Sequence, residues 1–135
     1  MKKILKDEFY GGYCDDNQTK ATIHDIYKKY SYTCDTHTAV AVKVYEDYKK
    51  ETGDMTKTLI ASTASPYKFS ASVLEAIEGE KSNLDEYDMV ERLSELSDIP
   101  VPNALADLKN RERRFNRSID KSEMNSFVLK SFGLE

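Results

Sequence analysis

Apolar residues recur along most of this chain at intervals of three and four positions, the spacing of amphipathic helices. The first clear case follows Asp15 and Asp16, either of which can cap a helix by accepting a hydrogen bond from a free backbone N–H. Its predicted inner face carries Ile23, Ile26, Tyr27 and Tyr30. Upstream, residues 2–10 predict a shorter helix that the adjacent Gly11 and Gly12 interrupt.

The next predicted helix begins at His37 and has a broad apolar stripe. That stripe consists of Ala39, Val42, Val44, Tyr45 and Tyr48. Gly53 stands where a left-handed C-terminal cap belongs. A short loop with the sequence Cys34-Asp35-Thr36 precedes this helix.

Helical periodicity returns in the second half of the chain. One helix is predicted to end at Gly79, a second to span residues 85–96, a third to start at a capping Asn103 and reach residue 108, and a last one to be capped by Asp120. The residues expected to point inward are Val73, Leu74 and Ile77, then Met89, Leu93 and Leu96, then Met124, Phe127 and Val128.

Only residues 57–62 predict a convincing strand, since KTLIAS is a short apolar run after a Gly-Asp turn. A second strand is expected near residues 118–119. A strand without a partner leaves its backbone N–H and C=O groups without hydrogen bonds. The predicted strand therefore needs neighbouring strands, which the chain does not clearly supply. The predicted fold class is therefore an α/β fragment, mostly helical with one or two strands.

Composition indicates one folded unit over residues 1–135 rather than a disordered chain, with 39% hydrophobic and 33% charged residues. A net charge of -4 gives no general attraction to nucleic acid or to anionic membranes. The apolar run at the N-terminus is too short for a signal peptide, and no run approaches the ~20 apolar residues of a membrane helix. We expect a cytoplasmic protein, without nucleic-acid or membrane partners, in which Cys14 and Cys34 are thiols.

Three kinds of generic site are weak candidates. Zinc ligands usually come in close pairs, and of Cys14, His24, Cys34 and His37 only the last two are close together. Ser65 and Lys68 match the S-x-x-K motif of acyl-serine enzymes, but the companion motifs of that class are missing. The basic run at residues 111–117 is flanked by acidic residues and is typical of a solvated face.

Two segments together carry a more specific signal. Residues 35–41, DTHTAVA, open a helix, and residues 59–69, LIASTASPYKF, run from the predicted strand into a loop and helix. This pair resembles the C-terminal part of threonine synthase, in which a D-P-H-[TA]-A-V helix start precedes a strand ending in [ST]-T-A-[HS]-P-x-K-F. Thr36 departs from the usual proline, and Ser65 stands where many members have histidine.

The resemblance implies a fold and a reaction. The fold would be the C-terminal part of a tryptophan-synthase-beta-like enzyme that uses pyridoxal phosphate (PLP). The reaction, a step of threonine biosynthesis and formally that of a carbon–oxygen lyase acting on phosphate, converts O-phospho-L-homoserine and water to L-threonine and phosphate. PLP acts in such enzymes as an electron sink.

The resemblance also implies roles for individual residues. Thr63 would place its hydroxyl beside the pyridine nitrogen of PLP, just past the end of the strand, and Ser62 is the neighbour that could take its place. His37, Ser65 and Lys68 are candidates for the substrate pocket. For His37 a capping role is the competing interpretation, and for Lys68 a solvent-exposed one.

In the family, the lysine that binds PLP, the loop that holds its phosphate and most ligands of the substrate phosphate lie upstream of this region. We therefore expect the N-terminal and main PLP-binding regions to be absent from this chain and the chain alone to be catalytically incomplete, binding no PLP by itself. The N-terminal part of threonine synthase is a candidate partner in trans. The alternative is a non-catalytic helical interaction module derived from such a tail.

Overall fold

The computed structural model describes residues 8–134, and all regular elements in that part of the chain are helical. The α-helices are α1 (Asp16–Tyr30), α2 (Thr36–Thr52), α3 (Ser70–Glu78), α4 (Glu86–Ser97), α5 (Asn103–Ala106) and α6 (Met124–Ser131). Single 3₁₀ turns lie at Pro66–Phe69, Leu108–Asn110 and Lys121–Glu123. Most of the helix predicted at residues 2–10 falls outside the described residues.

Aspartates cap the longer helices, and the cap predicted at Asp15 is confirmed. Asp15 caps α1 through a reciprocal pair of bonds, because its carboxylate accepts from the Gln18 N–H at 2.8 Å and its own N–H donates to Gln18 Oε1 at 3.0 Å. Asp85 caps α4 by accepting from two backbone N–H groups of the first turn, each at 2.9 Å. The left-handed residues Gly53 (φ 71°) and Gly79 (φ 84°) end α2 and α3, which confirms both predicted stops.

The core lies among the first four helices. Helix α1 packs against α2 and α3, and α4 packs against the other side of α3. Ile23, Val73, Leu74 and Leu93 are completely buried there, which confirms the inner faces predicted for α1, α3 and α4. Tyr30 is the exception on α1: it is 64% exposed, because it belongs to the last turn, where the helix ends at the left-handed Ser31.

The predicted strand at residues 57–62 is wrong for this chain. These residues have no regular structure, and no strand pairs with them among residues 8–134. Leu59 is 95% exposed. The run has the composition of a strand, but strand geometry depends on a hydrogen-bonded neighbour that the described residues do not provide. The strand expected at residues 118–119 is absent for the same reason.

The C-terminal third is more open than its sequence pattern predicts. Asn103 is the first residue of α5 rather than its cap, and α5 ends at Ala106 instead of residue 108. Met124 and Val128 of α6, both predicted to point inward, are 56% and 45% exposed. Helix α6 packs mainly against the 3₁₀ turn just before it, so most of its apolar face is not covered by the core.

Candidate functional site

A buried carboxylate organises the start of α2. Asp35 is completely buried and accepts from the His37 N–H at 2.8 Å and from the Thr38 hydroxyl at 2.5 Å. Burial opposes the charge, but the hydrogen bonds from Thr38 and His37 outweigh it and hold the pKa of the Asp35 carboxyl below its ordinary value. Asp35 is therefore an ionised cap beneath the helix start.

This cap extends to the end of the 57–62 segment. The Oγ atom of Ser62 lies 3.0 Å from Oγ1 of Thr38, and the Tyr32 hydroxyl approaches the same Ser62 oxygen at 3.5 Å. Thr38 has one hydroxyl hydrogen and donates it to Asp35, so Ser62 has to supply the hydrogen of the bond between the two hydroxyls. The hydrogen of the Ser62 hydroxyl is therefore used in a hydrogen bond within the protein.

Thr63, the predicted contact for PLP, follows directly in the exposed connector. No hydrogen bond ties its hydroxyl to another of the described residues, and it is not among the lining residues of the four main clefts there. Of these two neighbouring hydroxyls, that of Ser62 is therefore hydrogen-bonded, and that of Thr63 has no hydrogen-bond partner among the described residues.

His37 lies beside a cleft of 390 Å³ between α1 and the starts of α2 and α3, which we call the His37 cleft. Its lining residues are Cys14, Asp16, Thr19, Lys20, Thr36, His37, Val40, Phe69 and Ser72. The imidazole is 64% exposed, its Nδ1 lies 3.2 Å from the Asp35 carboxylate, and its ring centroid is 4.9 Å from that of Phe69. His37 thus touches the capping residue Asp35 and borders a cleft.

The two other pocket candidates lie apart from His37. Lys68 is exposed and lines a different cleft, of 640 Å³, between the 3₁₀ turn and α4 and α5. Ser65 precedes the turn without capping it through its side chain, although its carbonyl accepts from the Lys68 N–H at 3.1 Å. The structure does not gather His37, Ser65 and Lys68 around one cleft of the described residues.

A third cleft, of 720 Å³, flanks the 57–62 segment, and we call it the Tyr48 groove. It runs between the segment, α2 and residues 8–10, and its lining combines polar groups with aromatic and aliphatic surface, to which Tyr45, Tyr48 and Leu59 contribute. Phe9 and Leu59, 69% and 95% exposed, leave its rim uncovered. The predicted strand is thus bordered by an open apolar surface.

The cysteines and histidines are dispersed. Cys34 is buried, and burial together with the neighbouring Asp35 raises the pKa of its thiol to about 11. His24 directs Nδ1 to the Ala76 carbonyl, 3.1 Å away. Among residues 8–134 no three acidic, cysteine or histidine residues come together as a metal site, and no helix has the length and apolarity needed to cross a bilayer.

The sequence was compared with those of known proteins. Residues 38–128 match the family described as the C-terminal region of threonine synthase. The chain belongs to this family. Its resemblance to threonine synthase, carried by the segments at residues 35–41 and 59–69, is thereby confirmed.

A relative agrees with this assignment. Threonine synthase-like 1 of the mouse is 29% identical to the chain over 128 residues, which is 94% of this chain and 16% of the relative. The chain therefore spans about one sixth of the length of that relative. Family membership supports a threonine-synthase-like relationship, and the family as a whole is linked to threonine biosynthesis and to lyase chemistry.

Within this threonine synthase C-terminal region, the sequence predicts His37 and Thr63 as candidate site residues but gives no role to Asp35, Thr38 or Tyr32. A signal for Asp35 was present, because aspartate is a favoured residue at the N-cap of a helix. The part played by Tyr32 has no local signal, since it reaches Ser62 across thirty positions of sequence.

Proposed function

We propose that this chain supplies the C-terminal wall of a PLP-dependent active site of the threonine synthase type, in which O-phospho-L-homoserine and water become L-threonine and phosphate. Two findings together support the proposal. The chain belongs to the threonine synthase C-terminal family, and its segment 57–62 is followed directly by Thr63, whose hydroxyl is free of hydrogen bonds to the described residues.

The described residues fit one contact of PLP and not the whole group. Thr63 offers a hydroxyl at the end of the segment, where open α/β sheets place their ligands. None of the lysines among residues 8–134 is buried, whereas a lysine that binds PLP is made reactive by a desolvated setting. PLP when bound would supply the electron sink, and Thr63 would hold its ring nitrogen through one hydrogen bond.

Segment 57–62 is the means by which this wall would join the rest of the site. Its exposed backbone carries N–H and C=O groups that can pair with a strand, and the Tyr48 groove beside it offers apolar surface for burial. The N-terminal part of a threonine synthase, covalently linked or in trans, is the partner with the required sheet. On this proposal the isolated chain binds no PLP and has no activity.

A reconstitution experiment tests the proposal. The chain is mixed with PLP-loaded threonine synthase that lacks the corresponding C-terminal region, and phosphate release from O-phospho-L-homoserine is measured. We expect activity with the wild-type chain and with Thr63→Ser, which keeps the hydroxyl. We expect a loss of about tenfold or more with Thr63→Val, which keeps the shape and removes a hydrogen bond to a charged or strongly polar group.

Two results would count against the proposal. Thr63→Val as active as Thr63→Ser would exclude the hydroxyl contact. Failure of the wild-type chain to bind or activate the truncated enzyme would favour the second candidate, a helical interaction module derived from such a tail. The observation that favours this second function is the buried core of α1–α4, which the chain forms from its own residues.

A further inference from the structure

The 57–62 segment has no regular structure, yet hydrogen bonds attach it to α2 at both of its ends. At its last residue, the Ser62 hydroxyl lies 3.0 Å from the Thr38 hydroxyl in the first turn of α2. Thr38 in turn donates to the completely buried Asp35 at 2.5 Å. We call these three side chains the Asp35 tether. Because its last member is buried, this tether is anchored inside the protein rather than at its surface.

A second tether joins the start of the segment to the other end of α2. The Asp54 carboxylate accepts from the Tyr48 hydroxyl at 2.7 Å, and it also accepts from the hydroxyl and the N–H of Thr56 at 2.6 Å and 2.8 Å. Tyr48 belongs to α2, whereas Thr56 directly precedes the segment. We call these three side chains the Asp54 tether. It is a strong link, because hydrogen bonds to a charged acceptor are roughly twice as strong as neutral ones.

The two tethers set the length that the segment has to cover. Thr38 and Tyr48 are ten residues apart on α2, which corresponds to about 15 Å along the helix axis. The residues from 57 to 62 would cover about 9 Å as a helix and about 20 Å as a strand. A helix is therefore too short for this span, whereas a largely extended backbone fits it.

Between its ends the segment keeps its backbone groups for a partner. No backbone–backbone hydrogen bond among the described residues involves positions 57–62. Thr58, Leu59, Ile60 and Ala61 border the Tyr48 groove beside α2, and Leu59 is 95% exposed. The segment therefore presents unused donors and acceptors next to exposed apolar surface while both of its ends are held.

We propose that the Asp35 and Asp54 tethers preorganise residues 57–62 as an extended strand that adds to the edge of a partner sheet. The tether residues are positioning residues, since they act by holding the segment that Thr63 follows and touch neither cofactor nor substrate. The inference rests on the proposed function for the identity of the partner, but the tethers belong to this chain alone. A segment that is already extended loses less conformational entropy on binding than a flexible one.

Order in the segment is measured first, on the full chain labelled with ¹⁵N and ¹³C. A backbone order parameter of about 0.85 indicates a rigid residue, and one below about 0.6 a flexible residue. In the wild-type chain we expect values above the flexible limit and the carbon shifts of extended backbone throughout residues 57–62. Ser62→Ala removes the first link of the Asp35 tether and should lower the order parameters of residues 60–63 below that limit. Unchanged signals of the buried Leu74 show that the variant is folded.

Tyr48→Phe opens the Asp54 tether and has a matched control on the same helix. Tyr45 also lines the Tyr48 groove, but its hydroxyl makes no hydrogen bond to another of the described residues. We expect Tyr48→Phe to lower the order parameters of residues 56–58 and Tyr45→Phe to leave them unchanged, since both substitutions keep the ring. A segment that is flexible in the wild-type chain, or that stays equally ordered in Ser62→Ala and Tyr48→Phe, would overturn the proposal.

Docking is then measured by titrating the N-terminal part of a threonine synthase with each chain. The double variant Tyr48→Phe/Ser62→Ala should bind about tenfold more weakly than the wild-type chain, because it has to order the segment on binding. Equal binding of the two chains would overturn the preorganising role and leave the Thr63 contact unaffected. Failure of the wild-type chain to bind would overturn the proposed function, whereas the tethers are judged on the free chain. The two proposals can therefore fail separately.

Discussion

At the scale of single residues, one close approach ties the N-terminal segment to α2. A Cβ atom built on Gly12 would lie 2.8 Å from Cγ1 of Val44, while one on Gly11 would meet nothing within 4 Å. The nearby Tyr10 stacks edge-on against Tyr48 with centroids 5.0 Å apart and donates to Glu51 at 2.6 Å. Glycine at position 12 is thus a packing requirement, and at position 11 it is not.

Gly12→Ala should lower the free energy of unfolding by about 1–3 kcal/mol, the usual cost of overpacking. Val44 cannot easily move aside, since a β-branched residue in a helix has one favoured rotamer. Gly11→Ala is the control and should be neutral or slightly stabilising. Urea unfolding of the two variants beside the wild-type chain checks this, and equal stabilities for both variants would contradict it.

A second residue-scale feature fixes the start of the 57–62 segment. The Asp54 carboxylate accepts from the Thr56 hydroxyl at 2.6 Å, the Tyr48 hydroxyl at 2.7 Å and the Thr56 N–H at 2.8 Å. The bonds from Thr56, followed by that from Tyr48, lower the pKa of Asp54 from 3.8 to about 2. A depressed carboxyl pKa stabilises the folded state above the unfolded value and loses that contribution as pH falls.

The contribution of Asp54 should therefore be complete above pH 3.8 and disappear as pH falls toward 2. Asp54→Asn removes the titration, so the difference in melting temperature between wild type and variant should shrink across this window. Melts monitored by circular dichroism from pH 5 to about 2 measure the difference. A constant difference throughout would show that Asp54 is not bonded as described.

At the scale of elements, removing a capping aspartate should affect stability differently in a helix that contacts the core and in one that does not. Asp85 caps α4, which places Leu93 in the core. Asp120 begins the 3₁₀ turn before α6 with a capping box, but α6 packs mainly against that turn. Both aspartates cap the start of a helical segment, but only the segment that begins at Asp85 contributes a residue to the core.

Asp85→Ala should lower the free energy of global unfolding by about 1 kcal/mol, the typical cost of losing a cap. Asp120→Ala should leave global unfolding almost unchanged and reduce only the helicity of residues 121–131, because that segment can open by itself. Urea unfolding gives the first quantity and amide exchange the second. Equal losses in global stability would mean that α6 belongs to the core after all.

The sequence predicts helices well where periodicity is accompanied by a capping aspartate, as for α1, or by a left-handed glycine at the end, as for α2 and α3. It fails for residues 57–62, where a strand-like run meets no partner strand among the described residues, and for α6, whose apolar stripe has no core surface to cover. Both failures concern tertiary neighbours rather than local preference. For the candidate site, motif positions predict His37 and Thr63, but only the structure shows that the Ser62 hydroxyl is hydrogen-bonded to Thr38.

At the scale of the whole molecule, the chain combines a buried core with an exposed segment at residues 57–62. Leu74 is completely buried between the helices, whereas Leu59 in the 57–62 segment is 95% exposed. Such exposure of a leucine beside the Tyr48 groove is expected of a surface that another part of a protein covers.

Leu74→Ala should cost the isolated chain about 2–5 kcal/mol, as for other buried leucines, and Leu59→Ala should cost it almost nothing. In the reconstituted enzyme the second substitution should weaken assembly. Urea unfolding of the chain and titration of the truncated enzyme with each variant provide the two readouts. A Leu59→Ala chain that is destabilised alone, or that assembles normally, would contradict this division.

The most direct test of the account is amide hydrogen exchange across residues 57–62, measured on the chain alone and after addition of the N-terminal part of a threonine synthase. We expect fast exchange in the free chain and strong protection in the complex, because the segment gains backbone hydrogen bonds to a neighbouring strand. Protection that is already present in the free chain, or exchange that stays fast in the complex, would contradict it.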